Sequence, residues 1–195
     1  MYAQEKTGMS LQEFMQRWDE IGPFELIDGE VAPVSPTKMF AHTTSANRLM
    51  YKINLLTVSN GMGEAFVEGT FITVPSTDPN WVKGSRVPDV MYISAGRLSA
   101  YKQANPEWES HPLALVPDLV AEVIAENDNY TEVMKKVTQY LRDGVRLLWL
   151  LEPETRTITV HRPNSKQIII LSGDDRLSGE DVIPGFEIPL TEIFG

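Results

Sequence analysis

Asp89, Glu122 and Lys136 are the residues whose types and settings could do chemistry. Pro88-Asp89 sits at the start of an apolar, strand-like run at 87–93. Glu122 interrupts the nearly continuous apolar segment 117–125, and Lys136 lies on the helical segment that follows. A carboxylate in a strand buried on both faces is costly unless it is paired, hydrogen-bonded or bound to metal. Glu122 therefore either has such a partner or reaches water at a strand end or sheet edge. With no cysteine, and with histidines scattered at 42, 111 and 161, a thiolate or His-rich centre is not expected. Any metal would be a hard cation held by carboxylates.

Helical phase decides which lysine matters. With Val133 as reference and about 100° per residue, Val137, Tyr140, Leu141 and Gly144 fall within roughly 80° of it. Lys136 falls near about −60°, at the border of that apolar stripe, and Lys135 points almost opposite, into water. The aliphatic stem of Lys136 can run along the core edge toward the sheet while its ammonium stays hydrated.

The elements that must position these groups can be read along the chain. Ser10 to Glu13 has the form of a capping box, with Leu11, Phe14, Met15 and Trp18 on one helix face. Asp28-Gly29 between two short apolar runs predicts a hairpin with a type I′ turn over 24–34. Positions 42, 46, 49, 53 and 56 share one face of a helix that Asn60-Gly61 ends. Strands are expected at 65–74, 87–93 and 117–125, the last buried on both faces. Residues 94–116 read as irregular or short helical structure. Asn129 to Glu132 opens a helix that closes at Gly144, strands follow at 147–152, 157–161 and 167–171, and a finishing segment is packed by Ile183, Phe186, Ile188 and Phe194. Nothing in the pattern divides it, so the expectation is a single α/β domain over 1–195 around a mixed sheet.

The chain has 195 residues, 17 Lys+Arg against 27 Asp+Glu and a net charge of −10. That balance argues against coating nucleic acid non-specifically, which needs a clustered positive patch, but it is compatible with an enzyme that meets nucleic acid through bound metal. The longest apolar run, 147–151, falls far short of the roughly 20 residues of a membrane span. No secretory signal is visible, and the absence of cysteine fits a cytoplasmic protein.

Asp89 after a proline, followed by Glu122 in a central strand, resembles the PD-(D/E)xK nuclease fold. More closely, the chain resembles the Uma2 family (DUF820) of restriction-endonuclease-like proteins. The matching segments are 24–30 (FELIDGE), the helix near His42, 87–90 (VPDV) and 117–123 (PDLVAEV). They continue in order through 136–140 (KVTQY), 144–145 (GV), 148–150 (LWL) and 184–190 (PGFEIPL).

The resemblance implies a restriction-endonuclease-like core and a metal-dependent endonuclease acting on DNA as a homodimer. Asp89 and Glu122 would hold Mg²⁺ or Mn²⁺, and Lys136 would enter the site from its helix. Two departures stand out: Ile124 occupies the place of the motif's usual lysine, and Ala125-Glu126-Asn127 stand where the family commonly has a serine and proline. Pro117-Asp118 rivals Pro88-Asp89, but Asp118 and Glu122 on one strand would lie about 13 Å apart, so Asp89 is preferred. The resemblance also points to Glu25, ahead of Glu30, as completing the acidic site; the alternative makes both of them hairpin surface charges. His42 reads as a helix-start or surface histidine rather than a proton carrier. Arg97, Tyr101, Lys102 and Trp108 form a basic and aromatic mixture suited to a substrate backbone, or else an ordinary surface excursion. The rival functions are a catalytically inactive nuclease-fold protein serving in protein or DNA binding, and a phosphodiesterase with another substrate.

Overall fold

The computed structural model describes residues 7–34, 39–73, 78, 80–125 and 128–195. The chain divides into two compact units. The first is built from Met1–Thr37, Thr70–Val87 and Pro106–Val116, and the second from Lys38–Gly69, Pro88–Asn105 and Pro117–Gly195. Elements are numbered along the whole chain.

The first unit holds β1 (Met9–Ser10), α1 (Leu11–Ile21), β2 (Phe24–Ile27), β3 (Glu30–Pro33), β5 (Phe71–Ile72), β6 (Trp81–Val82) and β7 (Ser85–Arg86). Ser10 caps α1, its Oγ accepting the Glu13 N–H at 3.1 Å, while the Glu13 carboxylate pairs with Arg17 one turn on. Asp28 (φ 53°) and Gly29 (φ 88°) make the two-residue turn between β2 and β3, as the positive φ values of a type I′ turn require. The four-stranded sheet runs β3-β2-β7-β5. Met9, Phe14, Phe24, Leu26 and Val82 form its core, with the Phe14 and Phe24 rings 5.0 Å apart.

The second unit carries α2 (Phe40–Thr57), β4 (Gly63–Val67), β8 (Val90–Ser94), α3 (Ala95–Ala104) and β9 (Leu119–Val123). It continues with α4 (Tyr130–Asp143), β10 (Leu147–Glu152), β11 (Thr157–His161), β12 (Ile169–Leu171), β13 (Arg176–Ser178), β14 (Glu187–Pro189) and α5 (Thr191–Phe194). Its six-stranded sheet runs β12-β11-β10-β9-β8-β4. Only β9 and β10 are parallel, joined by the α4 crossover that parallel neighbours need. Strand alternation sorts the residues into two faces. Val90, Tyr92, Leu119, Ala121, Val123, Leu147, Trp149 and Leu151 pack with Ala46, Leu49 and Ile53 of α2 and with Ile183, Phe186 and Leu190. Val120 and Glu122 alternate to the other face of β9. Asn129 accepts the Thr131 and Glu132 N–H groups at the start of α4, and Gly144 (φ 109°) ends it.

The mixed α/β architecture, its N-terminal helix and its hairpin follow the sequence pattern. Two local expectations change. The strand expected at 65–74 is two strands in different sheets, because Glu68 adopts a left-handed φ of 53° between β4 and β5; residues 74–77 lie outside the described residues. The strand expected at 87–93 starts at Val90, since Pro88 has no N–H to give a ladder and Asp89 bends. Residues 94–116, expected as irregular or short helical structure, contain the ten-residue α3, which buries only Leu98, and one 3-10 turn at Trp108–Ser110.

Candidate active site

β9 lies between β10 and β8, and pairing with β8 aligns Val90 with Ala121, Met91 with Val120 and Tyr92 with Leu119. Asp89 immediately precedes that ladder, at a bend just before β8. The buried Asp89 side chain turns into the sheet edge, and its Oδ2 accepts the main-chain N–H of Val123 at 2.8 Å. That bond ties the Asp89 carboxylate to the residue next to Glu122.

Glu122 is half-buried on the α4 face, and the hydroxyl of the buried Tyr140 donates to its Oε1. Tyr140 and Lys136 are four residues apart on α4 and so share a helix face. Lys136 is half-buried there, whereas Lys135 is exposed and bonds Glu132 at 2.7 Å. The phase argument therefore separates the two lysines correctly.

His42 departs from expectation. It starts helix α2, as read from the sequence, but it is buried and not on the surface. Its Nε2 lies 3.1 Å from Asp89 Oδ2, so one oxygen of Asp89 takes both a ring nitrogen and the Val123 amide. The signal was present: position 42 is in phase with the core positions 46, 49 and 53. A polar residue on the buried stripe of a helix needs a partner. Tyr140 was legible only as a stripe residue, because its bond to Glu122 depends on how α4 lies on the sheet.

Asp118, the rival carboxylate, is committed elsewhere. It is buried just before β9, at the opposite end from Glu122, where it accepts the Ser94 N–H at 2.9 Å and pairs with Arg97 at 2.7 Å. Arg146 stands 3.8 Å away. The Tyr92 hydroxyl, donating to the Met62 carbonyl at 2.8 Å, is pushed above its ordinary pKa by burial first and by the Asp118 charge second. Of the residues expected to meet a substrate, Arg97 thus holds Asp118, and Lys102 pairs with Glu64 at 3.6 Å.

Glu25 belongs to the first unit. It is buried on β2, and its carboxylate accepts the Val87 N–H at 3.0 Å. It is therefore no surface charge of the hairpin, unlike Glu30, which is exposed.

Among the described residues no group of three or more His, Cys, Asp or Glu side chains is placed to hold a metal ion. Asp89 and Glu122 offer two hard oxygen donors from adjacent strands. That set suits Mg²⁺, which commonly takes one or two carboxylates and completes its shell with water and substrate phosphate. Among the described residues no helix is long and apolar enough to cross a membrane.

A six-stranded mixed sheet flanked by helices, with a parallel pair at its centre, is the nuclease-like fold. The chain belongs to the Uma2 family, whose model, described as "Putative restriction endonuclease", matches residues 11–191. A crystal structure described as "a putative nuclease belonging to DUF820 from Anabaena variabilis" superposes with a TM-score of 0.72. The two chains are 20% identical, and the match covers 95% of this chain and 97% of that one. A comparison with curated proteins gave no match.

Proposed function

We propose that this protein is a metal-dependent endonuclease that hydrolyses phosphodiester bonds of DNA. The observation that carries the reading is the bond from Val123 N–H to Asp89 Oδ2, which ties one carboxylate to the residue next to a second, Glu122. Asp89 and Glu122 would hold Mg²⁺ or Mn²⁺. When bound, such an ion supplies Lewis acidity at the scissile phosphate and a more acidic water. Tyr140 fixes the orientation of Glu122 by its hydroxyl bond. Lys136, one turn away on the same face, carries the positive charge that would steady the phosphate as negative charge builds on it. It takes the place of the lysine that Ile124 lacks. Family membership supports the nuclease class. The reading includes a homodimer, since cutting two strands of a duplex uses two sites. The edge strand β12 and its approach leave Ile168, Ile169 and Ile170 exposed by 51%, 42% and 67%, a surface a second copy could cover.

A second reading, an inactive nuclease-fold protein that binds DNA or protein, draws support from Ile124, the −10 charge and the two donors already on Asp89 Oδ2. Calorimetry with Mg²⁺ and Mn²⁺, alongside cleavage of plasmid and short duplex DNA, separates the two. The nuclease reading expects metal binding that Asp89→Asn and Glu122→Gln each weaken, and cleavage that both abolish. A parent protein that binds neither ion and cuts neither substrate belongs to the second reading.

A further inference from the structure

We infer that His42 is a positioning residue for Asp89, and that its second ring nitrogen accepts a hydrogen bond from a water or ligand on the side of the ring away from that carboxylate. What that water or ligand does chemically rests on the nuclease reading; the placement of the imidazole does not.

The His42 and Asp89 side chains are only 8% and 5% exposed, and His42 Nε2 lies 3.1 Å from Asp89 Oδ2. A nitrogen facing a carboxylate oxygen at that distance carries the hydrogen and donates it. The same oxygen accepts the Val123 N–H at 2.8 Å. Two donors on one oxygen, one from α2 and one from the edge of β9, stop the carboxylate from rotating about its Cβ–Cγ bond. Rotational locking by an outer hydrogen bond is how supporting residues set the aim of a ligating side chain.

In the Nε2–H tautomer the ring presents a bare lone pair at Nδ1. Nδ1 is buried and has no hydrogen-bond partner among the described residues. Native proteins rarely leave such an atom unpaired, because losing its hydration is costly. A donor outside the described residues is therefore expected there, and it would lie across the ring from Asp89. The stripe that carries His42 otherwise packs Ala46, Leu49 and Ile53 against the sheet, so an apolar side chain at 42 would serve packing alone.

Two amides split the two jobs of the ring. A glutamine at 42 can put its amide N–H near the place of Nε2 and keep the donor to Asp89. An asparagine can put its carbonyl near the place of Nδ1 and lose that donor. The test combines Mn²⁺ calorimetry on the parent, His42→Gln, His42→Asn and His42→Leu with ¹⁵N spectra of the parent's imidazole in EDTA at pH 8. Thermal unfolding shows that each variant is folded. The expected spectrum is the neutral Nε2–H tautomer. Mn²⁺ affinity should fall roughly tenfold to a hundredfold in the Asn and Leu variants, the range found for outer-shell partners of metal ligands, and stay within about threefold in the Gln variant. DNA cleavage by the Gln variant should drop with its metal affinity retained, because it lacks the Nδ1 acceptor. An Nδ1–H tautomer, or equal Mn²⁺ affinity in all four folded proteins, overturns the inference. A parent with the expected tautomer but no Mn²⁺ binding sinks the nuclease reading and leaves the His42–Asp89 pairing standing.

Discussion

Asp118→Ala removes a carboxylate that is 2% exposed and receives three donors of different worth. The Ser94 amide, at 2.9 Å, loses its acceptor at the junction of β8 and α3. An orphaned backbone N–H costs about 1–3 kcal/mol. The Arg97 bond, at 2.7 Å, is charge-assisted, but the Arg97 side chain is 41% exposed and can rehydrate, so it adds about 1 kcal/mol or less. Arg146, at 3.8 Å and half exposed, keeps its bond to Asp181 at 2.6 Å and adds little. The sum is about 1–4 kcal/mol, which for a chain of this size lowers Tm by roughly 2–16 °C. Asp118→Asn retains an oxygen for Ser94 and should lose less than half as much. Thermal unfolding by circular dichroism measures both variants. Below its melting point, Asp118→Ala should keep the parent's metal affinity, because this carboxylate serves the N-terminal end of β9 and not the end that carries Glu122. A Tm within 2 °C of the parent, or metal affinity lost while the protein is folded, refutes the assignment of Asp118 to structure and reopens its rivalry with Asp89.

Lys136→Ala should lower metal-dependent cleavage by roughly a hundredfold or more with Tm little changed, whereas Lys135→Ala, which loses one exposed bond to Glu132, should cleave as the parent does. Equal losses in a plasmid assay would remove Lys136 from the site. His161 has its pKa lowered by burial. Below about pH 6.5 the unfolded chain takes up a proton that the folded chain resists. Its contribution is therefore full above that pH and shrinks as pH falls toward the lower folded value. Melts between pH 5 and 8 should show part of this slope vanish in His161→Gln, and identical slopes would exclude it. On the proposed homodimer, Ile170→Lys on the exposed edge strand β12 should shift sedimentation from dimer to monomer; a parent that sediments as a monomer refutes the homodimer, and an unchanged dimer places the contact elsewhere.

Much of the fold was legible because its signals are local. Asp28-Gly29 can adopt the positive φ values of its turn cheaply, Asn129 and Gly144 mark the ends of α4, and the apolar run around Val120 has to be a strand covered on both faces. The misses also have local causes. Nothing in the side chains near Glu68 announces a left-handed residue, so one long strand was read where the chain turns between two sheets. The short helical structure expected within 94–116 is there as α3, but it buries one residue of ten, so no periodic stripe marked its bounds.

The candidate site was legible to the extent that each member breaks a pattern. Glu122 breaks an apolar strand and Lys136 borders an apolar helix face; both deviations can be seen along one segment. What links the members cannot be seen that way. Asp89 meets Val123 only because β8 and β9 are antiparallel neighbours in a particular register, and a slip of one residue would turn every side chain of the strand to the other face. His42 reaches Asp89 from a helix 47 positions earlier. Its burial could be inferred from phase with 46, 49 and 53, and burial of an imidazole demands a partner, but the partner's identity depends on strand order. The same limit applies to Asp118. Its motif is as good as that of Asp89, and spacing along the strand could only exclude it as a co-ligand of Glu122. Its actual role, holding Ser94 and Arg97 at the other end of β9, is a fact of tertiary structure.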